Sequence, residues 1–451
     1  MRVPWSRPTS GGYARTLVAV CVLALLVAGC SGTASPSAAA SSSASVAPSA
    51  SAGQSTAPAA SSATIDLTIG GIVPLTGAQA AFGAWEQKSI ELGVKALNDA
   101  AQTAGLPITV TAKIEDEGSG PDAAAQSATK LVTAEGATCI VGPNNSADGI
   151  AIAKNVTVPR KVPMIGILTT SPAITTLDDN GYYFRTTASD TKQAIVMANY
   201  VEQELGGATG KTLNIGARND AFGAPLAQGV QQHWQELGGT VGQVVLWDPN
   251  ATTYDADAQK LVSGDPAAWV IIDFVTTFQK VAPALVRTGK WDPTRTFVSA
   301  LQVPNLPQLV GAAATEGLRG LAPGVVGDSA IDKAFIDYWN TNAPGVTLGA
   351  GAVSGFDGTI LCGLAAVAAQ STNGTAIRDE LTPVSGPPGT HYDFTKLADA
   401  LSAVASGQDI DYDGVYGPID FDANGDVAGG QYGTIAFKNG KLTFTGLIAA
   451  P

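Results

Sequence analysis

Basic side chains, histidine and long apolar runs are all scarce in this chain of 451 residues, and each shortage removes a class of function. Lysine and arginine total 25 against 38 aspartates and glutamates, a net charge of −13. That sign opposes nucleic acid, whose binding rests on basic groups neutralising phosphates, and it equally opposes a polybasic grip on a membrane surface. Only residues 17–29, LVAVCVLALLVAG, form a long apolar run. Its 13 residues fall short of the ~20 that a helix needs to cross a bilayer. A channel or permease is therefore excluded.

Catalytic signatures are missing too. No Gly-x-Ser-x-Gly elbow occurs, and the two histidines, His233 and His391, stand in different regions without a triad setting. Neither has a neighbouring Cys or His to share a zinc ion. Residues 206–212, GGATGKT, imitate a phosphate loop, but Leu205 stands where that motif requires glycine and the segment precedes a strand instead of following one. Residues 420–431 match a calcium loop at Asp420, Asp422, Asn424, Gly425 and Asp426, yet end at Gln431 where the bidentate Glu belongs. A polar turn is the expectation there. No enzyme, no metal site and no cofactor is expected.

What is present begins with an export pattern. Arg2, Arg7 and Arg15 precede the short apolar run, which leaves through small residues. The tetrad Val27-Ala28-Gly29-Cys30 resembles the bacterial lipobox, which implies acylation at Cys30; a plain signal peptide with an incidental cysteine is the alternative. Residues 31–63 are Ser, Ala, Pro, Gly and Thr almost throughout, with no charge or aromatic ring. Such a segment buries too little to offset ordering entropy, and as a flexible coil it reaches roughly 30 Å. Residues 1–29 thus read as a lipoprotein signal and 30–64 as an acylated cysteine with its tether. Losing the signal moves the charge to about −16, so only lipid can anchor the body, and several acyl chains hold stably. The expected location is extracytoplasmic, on the outer face of the cytoplasmic membrane. Cys139 and Cys362 remain, either as an oxidised pair or as two buried thiols.

The body, 65–451, alternates strand and helix. Strands are expected at 65–73, 108–114, 138–142 and 163–168, with helices at 84–101 and 121–135 between them. The rhythm restarts after Thr187, with helices at 190–205, 223–237, about 256–263 and 278–289, and strands at 211–217, 240–247, 268–274 and 295–299. Helices at about 329–340, 354–370 and 393–406 follow, and a hairpin turns at Asn439-Gly440 within 431–445. Alternation of this kind predicts parallel sheets covered on both faces.

Five segments, in order and at proper spacing, resemble the branched-chain amino-acid-type solute-binding proteins: IGGIVPLTGAQAAFGAWEQKSIELGVKALN (69–98), ATCIVGPNNSA (137–147), VPMIGILTTSPAIT (162–175), YYFRTTASDTKQA (182–194) and VYGPIDFDANGD (415–426). The resemblance implies the type I periplasmic-binding fold: α/β, two Rossmann-like lobes (65–187 plus 323–428, and 188–322 plus 429–451) joined by three hinge crossovers near 187–190, 321–324 and 427–430. Ser146 and Thr170 match the family's head-group contacts, with Asn145 and Thr169 beside them, and Phe82 matches an aromatic lining the first lobe. Phe222, Asp273, Phe274 and Val275 are expected to face the same cleft from the second lobe. Where amino-acid binders carry an acid for the ligand ammonium, this chain has Leu301 and Gln302; Asp273 is the one candidate to replace that charge. The resemblance implies a monomer that captures an amino acid, amide or related small acid for an ABC permease and its ATPase. The alternative is a ligand-sensing module for a membrane signalling partner.

Overall fold

The computed structural model describes residues 64–450 apart from 119, 324–326 and 328. The export signal, the lipobox with Cys30 and the tether lie outside the described residues.

Strands β1 (Ile65–Val73), β2 (Ile108–Asp116), β3 (Cys139–Val141), β4 (Met164–Gly166) and β5 (Tyr183–Arg185) form a parallel sheet in the order β2-β1-β3-β4-β5. The sequence of β1, IDLTIGGIV, is buried along its last five residues without alternation, as a strand covered on both faces requires. Strands β6 (Thr212–Arg218), β7 (Thr240–Trp247), β8 (Ala268–Ile272), β9 (Thr296–Ser299) and β10 (Arg319–Pro323) build a second parallel set. The chain then forms β11 (Thr390–Tyr392), β12 (Ile410–Gly414) and β13 (Gly417–Pro418), a separate small sheet. It returns to the second sheet through β14 (Gln431–Lys438) and β15 (Lys441–Ala449), which gives the order β15-β14-β10-β9-β8-β6-β7. Asn439 and Gly440, with φ of 53° and 69°, make the turn between β14 and β15, the backbone that a two-residue hairpin of the right twist demands. This is the type I periplasmic-binding architecture expected from the sequence.

The boundaries shift in places. The first helix, Ala80–Ala104, is longer than the 84–101 expected, and Gly105 closes it in the left-handed region. Strands expected at 138–142 and 163–168 shrink to three residues each, and the helix expected at 278–289 runs Val275–Arg287. The helix Gly374–Leu381 and the small sheet were not foreseen at all. Residues 206–212 close the helix Asp190–Leu205 and lead into β6, so no phosphate loop forms.

The helix Ala352–Ala368 is buried on every side save at its last residue. It packs on the helices Ala80–Ala104 and Leu397–Ala405 and on β1, β3 and β4, so a part of the chain synthesised after the parallel strands of the second sheet completes the core of the first. Cys362 on this helix is disulfide-bonded to Cys139 of β3, 223 residues earlier, with Cα atoms 6.1 Å apart. Closing so long a loop removes much unfolded-state entropy, and such bonds typically contribute about 2–4 kcal/mol. The double variant Cys139→Ala/Cys362→Ala should lose stability of that order in denaturant unfolding. An unchanged midpoint would show that the bond adds nothing.

Candidate functional site

In open α/β sheets a ligand site forms beyond the carboxyl ends of the strands. A cleft lies there, walled by both sheets. Gln79, Phe82, Asn144, Ser146, Leu168 and Thr170 line it from the loops and helix after β1, β3 and β4. The facing wall is Gln193, Phe222, Phe274, Ser299, Ala300, Gln302 and Pro323, from the helix Asp190–Leu205 and the ends of β6, β8, β9 and β10.

The loop after β3 shows how local sequence shapes this wall. Gly142 has φ of 111°, and a Cβ there would strike the Ile72 carbonyl, so only glycine passes. The buried Glu117 carboxylate then accepts the N–H groups of Asn144 and Asn145 at 2.9 and 2.7 Å. The Asn144 side chain donates to Glu86 and accepts from Gln79. Ser146 Oγ accepts from the Ser171 N–H at 3.2 Å, tying this loop to the one that carries Thr170.

On the opposite wall Phe222 and Phe274 stack, centroids 5.2 Å apart and planes within 10°. The Arg218 guanidinium lies 3.8 Å from the Phe274 ring centre, a cation–π contact that holds the ring in place. Gln193 Nε2 donates to Ser299 Oγ at 2.6 Å, which leaves Gln193 Oε1 without a partner; Gln302 Oε1 has none either. Buried acceptors in that condition are costly, and a ligand N–H or O–H would satisfy them.

Among the described residues no charged side chain lines the cleft. The acids nearby sit behind the walls and are held toward their neutral forms. Burial pushes Asp190 up to about 7 against the opposing effect of the Thr170 hydroxyl, and Asp273 up to about 8 against Arg218. Burial likewise raises Glu86 well above the carboxylate range, and Glu117 too, where the neighbouring Asp148 adds to the effect.

Of the residues expected from sequence, the structure brings Phe82, Ser146, Thr170, Phe222, Phe274 and Gln302 to the cleft. The other four lie behind it. Asn145 spends its side chain capping the helix Ser146–Ile152, accepting from Ala147 N–H at 2.8 Å. Thr169 is fully buried, and its carbonyl accepts from Arg185 at 3.0 Å. Asp273 is also fully buried, with Arg218 Nη1 3.7 Å away, and does not line the cleft. Val275 opens the next helix and does not line the cleft; its neighbour Phe274 does. Sequence reasoning missed Gln79, Leu168, Gln193, Ser299 and Pro323 and chose Asn145 over Asn144. Gln193 lay within a segment that carried the resemblance, and its spacing four residues after a capping Ser189 was the one usable signal. The calcium-loop look-alike is a turn: Asp422 Oδ1 accepts from Asn424 and Asp426 N–H at 2.8 and 3.0 Å, and Asp426 is committed to Arg185.

Comparison with known proteins agrees with this geometry. The chain is 26% identical over 365 residues to the chemotactic signal transduction system substrate-binding protein BasB of Halobacterium salinarum, covering 79% of this chain and 84% of that one. Its fold is that of the leucine-binding protein LivK from Thermotoga maritima (TM-score 0.68, 21% identity, 85% of this chain and 98% of that one). The same holds for an ABC-transporter solute-binding protein from Rhodopseudomonas palustris in complex with p-hydroxybenzoic acid (TM-score 0.65, 18% identity, 85% and 97%). A family profile described as periplasmic binding protein matches residues 66–436. With that match across most of its length, the chain belongs to the periplasmic binding protein family, and its fold is the type I form.

Proposed function

We propose that the protein is an acyl-anchored solute receptor whose two lobes, 65–187 plus 323–428 and 188–322 plus 429–451, close on a small acid or amide with an aromatic or branched apolar body. One observation carries this reading: a cleft of three phenylalanines and neutral amides and hydroxyls, drawn from both sheets, without a charged wall residue among the described residues. A free ammonium buried there would have no counter-charge, which is costly. Ser146 and Thr170 suit a carboxylate or carbonyl, while the unclaimed oxygens of Gln193 and Gln302 suit a hydroxyl or amide N–H across from it. Closure follows because only the closed state offers both walls at once, and a ligand shifts the equilibrium by that difference.

Delivery to an ABC permease and its ATPase is the role this supports, with Cys30 as the anchor and a monomer as the working unit. A sensing role has its own support in the match to a chemotaxis substrate-binding protein. Loss of uptake with taxis intact on deleting the chain favours transport, and the reverse favours sensing.

A thermal-shift screen of leucine, isoleucine, their amides, benzoate and hydroxybenzoates tests the ligand class. A binder at 100 times its dissociation constant adds about 2.7 kcal/mol. Hydroxylated aromatic acids or amides are expected to shift the transition. A response confined to free leucine and isoleucine would refute the ligand class.

A further inference from the structure

Away from the cleft, the small sheet gathers a different chemistry. His391 on β11 is the register partner of Asp411 on β12, and Asp413 lies two residues on, on the same face of that strand. His391 Nδ1 stands 3.0 Å from Asp413 Oδ2 and 3.7 Å from Asp411 Oδ2, and one ligand atom from each of the three residues lies within 4.8 Å of the others. A tetrahedral ion with nitrogen and oxygen ligands at 2.0–2.2 Å holds neighbouring donors about 3.4 Å apart. The two histidine–aspartate separations bracket that value.

Two further observations go beyond a surface histidine paired with an acid. The Asp411 side chain is only 3% exposed, and its Oδ1 has no hydrogen-bond partner. A second carboxylate, Asp420, stands beside it: Asp420 N–H donates to Ser385 O at 2.9 Å, and Ser385 is the antiparallel bridge partner of Asp411. Asp420 Oδ1 is also buried and without a partner. Among the described residues no lysine or arginine forms an ion pair with Asp411, Asp413 or Asp420. Buried carboxylates crowded in this way call for a cation.

We propose that His391, Asp411 and Asp413 form a site for a divalent transition-metal ion of the zinc class, with the Asp420 carboxylate adding negative charge beside it. The imidazole selects the ion, since hard cations such as Ca²⁺ prefer an all-oxygen shell and Zn²⁺ accepts mixed nitrogen and oxygen. An ion there joins β11 to β12, stiffening the sheet that precedes the last passage of the chain into β14.

The test uses the full-length protein, freed of metal by a chelator and titrated with Zn²⁺, Mn²⁺ and Ca²⁺ by calorimetry and thermal unfolding. One Zn²⁺ per chain should bind and raise the transition temperature. His391 is two-thirds exposed, so His391→Ala should fold and yet lose Zn²⁺ affinity by more than about 10–100-fold, the range that even an outer-shell change costs. Asp413→Asn should weaken it as well. His233 beside Glu236 is the one other histidine–acid pair among the described residues, so His233→Ala is the control and should bind normally. Binding that follows His233, a stronger response to Ca²⁺ than to Zn²⁺, or no stoichiometric Zn²⁺ uptake would overturn the site.

Discussion

Alanine at both Ser146 and Thr170 should weaken capture of the cognate solute by on the order of 100-fold or more. Hydrogen bonds to a charged head contribute about 1.5–3 kcal/mol each, and a factor of ten in affinity is about 1.4 kcal/mol. Fold stability should move much less. Ser146 Oγ also accepts the Ser171 N–H, so loss of that bond costs about 1 kcal/mol. Titration calorimetry with the solute that stabilises the wild type, run beside denaturant unfolding, separates the two effects. Unchanged affinity in the double variant would remove Ser146 and Thr170 from the site.

The largest expected effect on stability comes from Arg185. Its side chain is fully buried and reaches Asp426 with Nε and Nη2, the latter at 2.7 Å, while Nη1 donates to the carbonyls of Thr169 and Ser171 at 3.0 and 2.9 Å. Arg185 N–H donates to Gly425 O at 3.0 Å as well. One guanidinium therefore ties the end of β5 both to the loop carrying Thr170 and to the segment leading into β14. Arg185→Met leaves the Asp426 carboxylate without its partner, and breaking a buried pair from one side costs about 3–5 kcal/mol. Adding Asp426→Leu should recover part of that loss, because the stranded charge goes with it. Solute affinity should also fall in Arg185→Met, since the Thr170 loop loses two of its anchors. A single-variant loss below about 1 kcal/mol would contradict this account.

How much of this the sequence disclosed follows the strength of each physical signal. Long elements with clear periodicity were legible: the helix Asp190–Leu205 and the strand Thr240–Trp247 fall where the pattern puts them. The three-stranded sheet was not, because strands of two, three and five residues carry too little alternation to detect. The choice of Asn145 over Asn144 shows a different limit. Two identical residues in succession differ only in which points along the helix axis and which into the cleft, and that is settled by the turn at Gly142 and by Glu117, 27 residues upstream of Asn144. Asp273 read as a cleft residue together with Phe274 because both stand at the end of a buried strand, but only Phe274 reaches the wall, and Arg218 packs beside both. His391 looked isolated because its neighbours in space, Asp411 and Asp413, are about twenty positions away along the chain.

The bond between Cys139 and Cys362 has a consequence for survival outside the cell. Everything from β6 to β10 lies between these two cysteines. A protease nick in any loop of that stretch would leave both fragments covalently attached, migrating as one species until a reductant is added. Cleavage anywhere in that stretch would thus not part the two pieces.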